Sequence, residues 1–468
     1  MNIQAAIEAL QAADIDVDLN PASVKSKSRD FFWYSPVLKD RLDHVVADFV
    51  ATPQTEAQVI DILRICYAHD VPVTTRGTGT GNYGQAMPLA GGCVLHLHKM
   101  NAVKEIAPGR VVVEPGCLLK DLDAACIADS GQEIRMFSST WATATIGGFI
   151  AGGSGGVGSV RWGALRDPGN IIRLRVATME EEPRVLDISG DDLHRVSHAY
   201  GTNGIITEIE IPLAPAYDWI GVFVAFDSFD EALQYSYDLA SCDGILIKLS
   251  TVFEAPIAKD YFQRVAPHVT PGDALVALMV APHGMPGWET FTNGYAARPI
   301  YRSDKSDWPK DPGHVFEYGW NHTTLRALKV DPSITYLQVA YGTDDPVALA
   351  RKMRDELSPE CLQHIEVMRQ NGRIAMAGLT LVKFQSEARL DEIIALHEAN
   401  GAMNFNPHRY TLEEGGRQAV DARQLDFKRE ADPKGLLNPG KMISWDDPDY
   451  SFDQMYVWPG LQAKPAAE

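Results

Sequence analysis

At 468 residues the chain has room for about three average domains or two larger ones, and 45% hydrophobic with 22% charged residues is ordinary globular composition able to bury a substantial core. A net charge of -20 argues against a nucleic-acid partner, and no uninterrupted apolar run approaches the length of a membrane span. Six cysteines without a C-x-x-C pair argue for reduced thiols in a cytoplasmic protein and against zinc ribbons or iron–sulfur clusters.

Ile3, Ile7 and Leu10 at helical spacing predict an opening helix, whose acidic residues and missing basic region are unlike a secretory signal. The basic and aromatic stretch that follows, KSKSRDFFWYSPVLKDRLDHVVADFV, is expected to wrap a surface or cofactor edge, or else to be a solvated loop with aromatic anchors. Thr55 and Gln58 form a capping-box pattern ahead of a helix that buries Val59, Ile62, Leu63 and Cys66. A short strand around Val71 and Val73 then feeds a glycine loop. Gly79, Gly81 and Gly84 have G-x-G-x-x-G spacing, but a dinucleotide loop of the nicotinamide type must open a helix, and QAMPLAGG follows instead. What survives is a backbone N–H nest for phosphate oxygens, with Arg76 as an ion partner.

Strands VKEI and VVVEPG and a helix over 118–129 lead into the densest stretch of the chain, SSTWATATIGGFIAGGSGGVGSVRWG at 138–163. Gly147, Gly148, Gly152, Gly153, Gly155, Gly156, Gly158 and Gly163 alternate there with Ile146, Phe149, Ile150, Val157, Val160 and Trp162. A flexible linker would lack those apolar residues. Glycine lets backbone N–H groups approach a ligand closely, so the stretch reads as the floor beneath a large anionic cofactor. It also satisfies G-x-S-x-G around Ser154, but that elbow demands one strained strand-to-helix turn, and Ser154 among so many glycines reads as a backbone contact.

Beyond the floor, NIIRLRVATM and PRVLDI alternate as an antiparallel pair, DDLHRVSHAYGT reads as a short helix, and GIITEIEIPL as a strand. LAPAYDW marks a domain boundary. Residues 217–402 alternate strands and helices as an α+β unit, and 403–468 are expected to return to the first domain, ending in a disordered tail GLQAKPAAE. The expected division is 1–45, 46–216, 217–402 and 403–468. His194 and His198 stand four apart on the predicted helix and His96 and His98 alternate on a strand, but no third ligand has recognisable spacing and no metal site is expected.

Several motifs together resemble the FAD-linked oxidases and dehydrogenases of the vanillyl-alcohol oxidase and p-cresol methylhydroxylase (PCMH) type, which include glycolate and D-lactate dehydrogenase flavoproteins. The resemblance rests on the helix and glycine loop from Thr52 to Gly84, VEPGCLLKDL, the glycine floor, GTNGIITEIEI and the terminal DPKGLLNPGKM. It implies an α+β fold: a two-subdomain FAD-binding unit, a substrate cap over the flavin, and a last segment that comes back to it. By motif, the backbone of Arg76, Gly77, Thr78, Gly79, Thr80, Gly81 and Asn82 would hold the pyrophosphate. Ser139, Thr145, Gly147, Gly148, Gly152, Gly153, Gly155, Ser159 and the backbone of Ile206 would line the rest of FAD. Covalent members often use a histidine in the first glycine loop; this chain has none between Arg76 and Gln85, so dissociable FAD is expected. The metal-associated H-x-G-D-G-N-x-H segment of glycolate-dehydrogenase-like relatives is absent as well.

Hydride removal from an alcohol carbon needs a base within hydrogen-bond reach of the carbinol oxygen. FNPHRYTLEEGG bears a loose likeness to the E-H-G motif of hydroxy-acid members. His408 is therefore the candidate base, with Tyr410 positioning substrate or flavin and Glu413 or Glu414 orienting the imidazole; the alternative is a histidine capping the last strand. Arg298, Arg302, Arg369, Arg373 and Lys248 are candidates to bind a carboxylate, and Tyr318, Trp320, Tyr336 and Tyr341 to sandwich an aromatic ring. The expected activity is oxidation of a hydroxy acid or related alcohol, with electrons passed to oxygen or a carrier. An aromatic or phenolic alcohol is the close alternative, a flavin-binding electron-transfer subunit a further one, and a homo-oligomer is compatible with the sequence.

Overall fold

A computed structural model describes residues 1–452 and 454–464. It has α+β architecture, and each layer follows from where the apolar residues fall. Thr55 caps the helix Glu56–Ala68, its Oγ1 accepting the N–H of Gln58 at 3.2 Å, while Gln58 Oε1 reaches back to the N–H of Gln54. The buried face of this helix packs against Ala6, Ile7 and Leu10 of the opening helix Ile3–Ala12. Both cover a four-stranded sheet in which Phe49–Thr52 and Val73–Arg76 flank Cys93–His96 in parallel, with Asp16–Asp18 antiparallel on the outer edge. The glycine loop thus leaves the C-terminal end of a parallel strand, where α/β-type sheets bind ligands.

The second sheet is antiparallel, with the long strand Ile205–Pro215 between Arg110–Val113 and Arg173–Ala177. The predicted pair is Arg173–Ala177 against Val185–Ser189, in the register Arg173↔Ser189. The glycine floor forms two short helices, Ile146–Gly152 and Ser159–Trp162.

The chain passes to the cap between Pro215 and Ile220. Rather than simple alternation, the cap is an eight-stranded antiparallel sheet running from the edge strand Arg298–Arg302 through Ile220–Phe226, Ala274–Val280 and Ile247–Phe253 to His364–Gln370, Arg373–Gly378, Gln338–Ala340 and Met403–Phe405. Every residue of its three central apolar strands is buried because both faces are covered. Side chains alternate across a strand. Val222, Val224 and Phe226 accordingly pack with the helix Phe229–Ser241, while Phe223 and Ala225 join a core continuous with Val113, Ile146 and Phe149 of the first unit. Cap and base share one hydrophobic core. Met403–Phe405 pairs with Gln338–Ala340, so the expected boundary at 402 falls inside the cap sheet and the return begins beyond Phe405.

That return is anchored by polar groups as well as packing. Val73 and Leu437 bridge in parallel on the edge of the first sheet. Behind them Lys428 and Asp432, both buried, form an ion pair at 2.5 Å; Asp432 accepts the N–H groups of Leu436 and Leu437, and Lys428 donates to the carbonyls of Thr202 and Leu437. Of the tail expected to be disordered, residues 460–464 are described. Gln462 bonds Val46 and Lys464 pairs with Asp40, whereas 465–468 lie outside the described residues. Replacing Asp432 with alanine leaves the Lys428 ammonium uncompensated in the interior, a loss of about 3–5 kcal/mol. Chemical denaturation monitored by circular dichroism should register it as a lowered midpoint with an unchanged slope.

Candidate active site and cofactor cleft

A cavity of about 1100 Å³ lies between the two glycine segments, the cap and the C-terminal return. It is at or above the upper end of the usual size for small-molecule sites, about 300–1,000 Å³, as an extended dinucleotide requires. Arg76, Gly77, Thr78, Gly79, Thr80, Gly81 and Asn82 form one wall. Ser139, Thr145, Gly147, Gly148, Gly152, Gly153 and Gly155 form the floor, with Ile206 beside them. Among the described residues, the N–H groups of Thr78 through Asn82 meet no backbone acceptor, so five successive donors are available to phosphate oxygens. Gly79 has φ 73°, and the Arg76 guanidinium lies where its Cβ would be. Arg76 braces its own loop, donating to the carbonyls of Arg29 and of Thr78, the latter at 2.9 Å, beside the buried Asp30. Burial pushes the Asp30 carboxyl up and the neighbouring Lys441 ammonium down, each opposed by the other's charge. Asn82 Nδ2, Thr75 Oγ1 and Trp320 Nε1 are buried without protein partners, a donor set suited to a polar ligand. The residues present fit FAD.

Ser159 is the one expected FAD residue turned away from this cavity. It is fully buried and its Oγ accepts the N–H of Gly156 at 3.0 Å, so it shapes the floor from beneath. The three expected catalytic residues also require correction. His408 has 0% exposure; its Nδ1 meets Ser35 Oγ at 2.7 Å and its Nε2 meets the carbonyl of Tyr336 at 2.9 Å. A carbonyl only accepts, so Nε2 carries the proton and Nδ1 accepts from Ser35. No lone pair remains for a substrate. Burial pushes this imidazole down to about 3. Tyr410 packs with Phe32, Leu38 and Leu42, its hydroxyl accepting the N–H of Trp458, and Glu414 accepts the N–H of Tyr456 at 2.7 Å. Glu413 does reach the wall, but its two oxygens accept the N–H groups of Ile443 and Ser444.

Most of the expected carboxylate-binding cations are engaged elsewhere. Lys248 is buried against Glu133, Arg298 and Arg302 pair with acidic residues, and Arg373 is exposed beside Asp344. Arg369 alone among them lines the cavity, and its guanidinium donates to the carbonyls of Val160, Ala240 and Gly372. Tyr318 and Tyr341 are buried with their hydroxyls on Pro312 and Gln363, whereas Trp320 lines the cavity.

Sequence reasoning named Tyr336 but passed over Tyr34, Tyr83 and Tyr200. Tyr34, Tyr83 and Tyr200 line the wall; Tyr336, 6.2 Å from Tyr34 between ring centroids, has a buried hydroxyl without a partner. Burial raises all four phenols, which therefore stay protonated at neutral pH. The signal was the run FFWY: Phe31 and Tyr34 from it reach the cavity because the N–H of Phe31 bonds Gly81. The segment expected to be helical around the second histidine pair is a 3-10 stretch, Gly190–Arg195, and His198 lies beyond it with φ 53°. His198 lines the cavity, its Nδ1 donating to the carbonyl of Gly153 at 3.0 Å, with burial holding it neutral at a value of about 4. Its Nε2 is thereby the acceptor nitrogen. Ser154 lines the cavity too, but past a helix end rather than on a strand-to-helix turn. His96 and His98 stack at 4.0 Å away from the cavity, and among the described residues no group of three or more metal-ligating side chains gathers. None of the described helices is long and apolar enough to cross a membrane.

An FAD binding domain model matches residues 47–186, the span that holds both glycine segments. The chain is 30% identical over 198 residues to an uncharacterised FAD-linked oxidoreductase of Mycobacterium tuberculosis, covering 40% of this chain and 42% of that one. It is 31% identical over 202 residues to a glycolate oxidase subunit of Bacillus subtilis, and 29% over 202 residues to a D-lactate dehydrogenase of Archaeoglobus fulgidus, covering 41% of this chain and 42% and 44% of theirs. The matches thus span less than half of each relative. In fold, a 4-ethylphenol oxidase from Gulosibacter chungangensis, solved as an isoeugenol complex, superimposes with TM-score 0.66 over 93% of this chain and 96% of its own at 18% identity. An alkyldihydroxyacetonephosphate synthase superimposes with TM-score 0.62 over 84% and 77% at 14% identity. Over these stretches the chain is similar to FAD-linked oxidases and dehydrogenases, and its cofactor is FAD.

His408 lends itself to a test in solution. The unfolded chain takes up its proton near 6.5 and the folded chain only near 3, so falling pH favours unfolding across that window. His408→Gln should flatten the dependence of unfolding free energy on pH between 6.5 and 3 while leaving bound flavin in place.

Proposed function

We propose that the protein oxidises an aromatic or phenolic alcohol, or a related aromatic CH–OH compound, and delivers the electrons to oxygen or a carrier. When bound, FAD supplies the hydride acceptor. The observation that carries the reading is the group Tyr34, Tyr83 and Tyr200 on the cavity wall with Phe31 and Trp320, and with Tyr336 buried beside Tyr34. Protonated phenols donate hydrogen bonds to a substrate oxygen, and flat rings recognise a flat substrate. Of the cations expected to bind a carboxylate only Arg369 lines the cavity, and it spends its donors on backbone carbonyls, so the hydroxy-acid reading suggested by the glycolate and D-lactate relatives would fall to Arg166, Arg417 and Arg423 on the same lining.

In this reading Tyr34 and Tyr200 orient the substrate oxygen, while Tyr83, whose hydroxyl donates to the carbonyl of Phe405 at 3.2 Å, offers its ring. His198 replaces His408 as the proton acceptor. Its ring lies 5.4 Å from that of Tyr200, which joins it to the tyrosine group, and its Nε2 is the basic nitrogen. The FAD is dissociable, and the six unpaired cysteines favour a reducing, cytoplasmic setting.

Anaerobic addition of 4-ethylphenol, a benzylic alcohol and D-lactate to the holoprotein tests the substrate class. Flavin bleaching should follow the aromatic compounds. Bleaching by D-lactate alone would restore the hydroxy-acid reading, and no bleaching at all would favour an electron-transfer subunit. Yellow colour should pass into the supernatant on acid precipitation. Because the base must be unprotonated, the reduction rate should fall as pH drops through about 4 and hold above it. His198→Gln should slow reduction about 10²–10⁴-fold and abolish that limb.

A further inference from the structure

Trp320 joins an extended approach to the helix Asn321–Val330, and it does so with φ 49° and ψ -143°, a backbone conformation that bulky side chains rarely adopt. Such conformations persist only where the surroundings over-determine them, and they gather at functional sites. Here the surroundings are a buried polar network behind the cavity wall. Glu366, on the strand His364–Gln370, has 0% exposure; its Oε1 accepts the Trp320 N–H at 2.5 Å and the His364 Nε2 at 2.9 Å, and its Oε2 accepts the Thr251 hydroxyl at 2.6 Å. On the helix side the N–H of Thr323 bonds the Trp320 carbonyl, and the Thr323 hydroxyl bonds Tyr318.

The effect is to lay the indole across the cavity onto the glycine floor. A Cβ on Gly155 would stand 3.2 Å from Trp320 Cη2, tighter than ordinary contact, so the indole seats there because the residue is glycine. Its Nε1–H is buried and donates to no protein acceptor among the described residues. Indole nitrogen is a donor only, and burying it unpaired is unfavourable. Glu366 itself does not line the cavity. Its contact with Trp320 is to the backbone, and it therefore affects the cavity through the orientation of that residue.

We propose that Trp320 is a specificity-determining residue whose Nε1–H donates to an acceptor atom of the bound substrate, and that Glu366 is a positioning residue acting only through Trp320. The inference rests on the reading of this cavity as an aromatic-alcohol site. Its committed ligand is an aromatic molecule with an oxygen acceptor, and a molecule without one gains nothing from the indole.

The test uses holoprotein labelled with 5-fluorotryptophan. Of the nine tryptophan resonances, the one lost in Trp320→Phe belongs to Trp320. Adding 4-propylphenol should move that resonance in the unsubstituted protein. Glu366→Leu should displace or broaden it while the other eight hold, and Glu366→Gln, which keeps an acceptor oxygen, should restore most of its position. The dissociation constant for 4-propylphenol, read from the flavin absorption band, should rise about tenfold in Trp320→Phe and in Glu366→Leu. Combining the two should raise it no further, since both changes remove one interaction. Losses that multiply to about a hundredfold, or a Trp320 resonance indifferent to Glu366→Leu, would overturn the positioning role. Where Glu366→Leu does not fold, Gly155→Ala leaves the carboxylate network intact and should move the same resonance; no movement there overturns the seating of the indole. A phenol that perturbs the flavin but leaves the Trp320 resonance still refutes the donor role alone, whereas a phenol that perturbs neither, with no bleaching by any aromatic alcohol, refutes the substrate reading itself.

Discussion

The cleft depends on one side-chain amide. A surface built from glycines has no side chains with which to hold its own shape, so its loops must be tied from outside. Asn438 does this, donating from Nδ2 to the carbonyl of Gln85 at 2.8 Å and to that of Tyr200 at 2.6 Å. One bond fixes the end of the first glycine loop; the other fixes the segment that carries His198 and Ile206 to the wall. Gln85 passes the constraint on, its Nε2 approaching the carbonyl of Gly152 on the floor. The amide is itself located by backbone pairing of Leu436 and Asn438 with Val73, and by the buried Lys428–Asp432 pair beneath. The C-terminal return is thus a structural part of the cofactor cleft, and its motif DPKGLLNPGKM makes sense as a set of backbone anchors.

The same economy explains how the cap is held over the floor without a rigid linker. Strand alternation divides Ile220–Phe226 between two cores, one made by the cap with Val160 of the floor and one shared broadly with the base. The face of the cap sheet that meets the floor is therefore fixed by burial of apolar surface, and polar groups are left free to shape the cavity. Glu366 and His408 occupy equivalent places in this scheme. Each is fully buried just behind the wall, and each holds the backbone of an aromatic residue, Trp320 in one case and Tyr336 in the other.

Local patterns carried much of this into the sequence. The Thr55 cap, the antiparallel pair after the floor and the strand Ile205–Pro215 were legible because each depends on periodicity or on one short-range hydrogen bond. The glycine segments were legible because their conformational demand excludes other residues. The order of the eight cap strands was not, since pairings such as Gln338–Ala340 with Met403–Phe405 join residues over sixty positions apart through backbone groups that every residue possesses. Helices Asn321–Val330 and Glu387–Ala399 escaped as well. The second has charged residues around much of its circumference, and tertiary packing rather than amphipathic spacing selects its buried face.

The candidate site divides along the same line. The residues expected to act through the backbone, Ser159 apart, do line one cavity, because backbone access has a compositional signature in glycine; of those expected to act through side chains few do, because a side chain's role depends on what lies across space from it. His408 shows the difference. In sequence it is a histidine beside a tyrosine and two glutamates, a plausible catalytic group. In space it joins Ser35 of the N-terminal segment to Tyr336 of the cap, and Thr335 beside it bonds the carbonyl of Tyr34. Three distant parts of the chain meet at that ring, and all its bonding capacity is used in holding them. Of the two tyrosines, Tyr34 lines the cavity and Tyr336 packs beside it. A histidine able to take a proton must keep a nitrogen in reserve, and on this wall His198 does so.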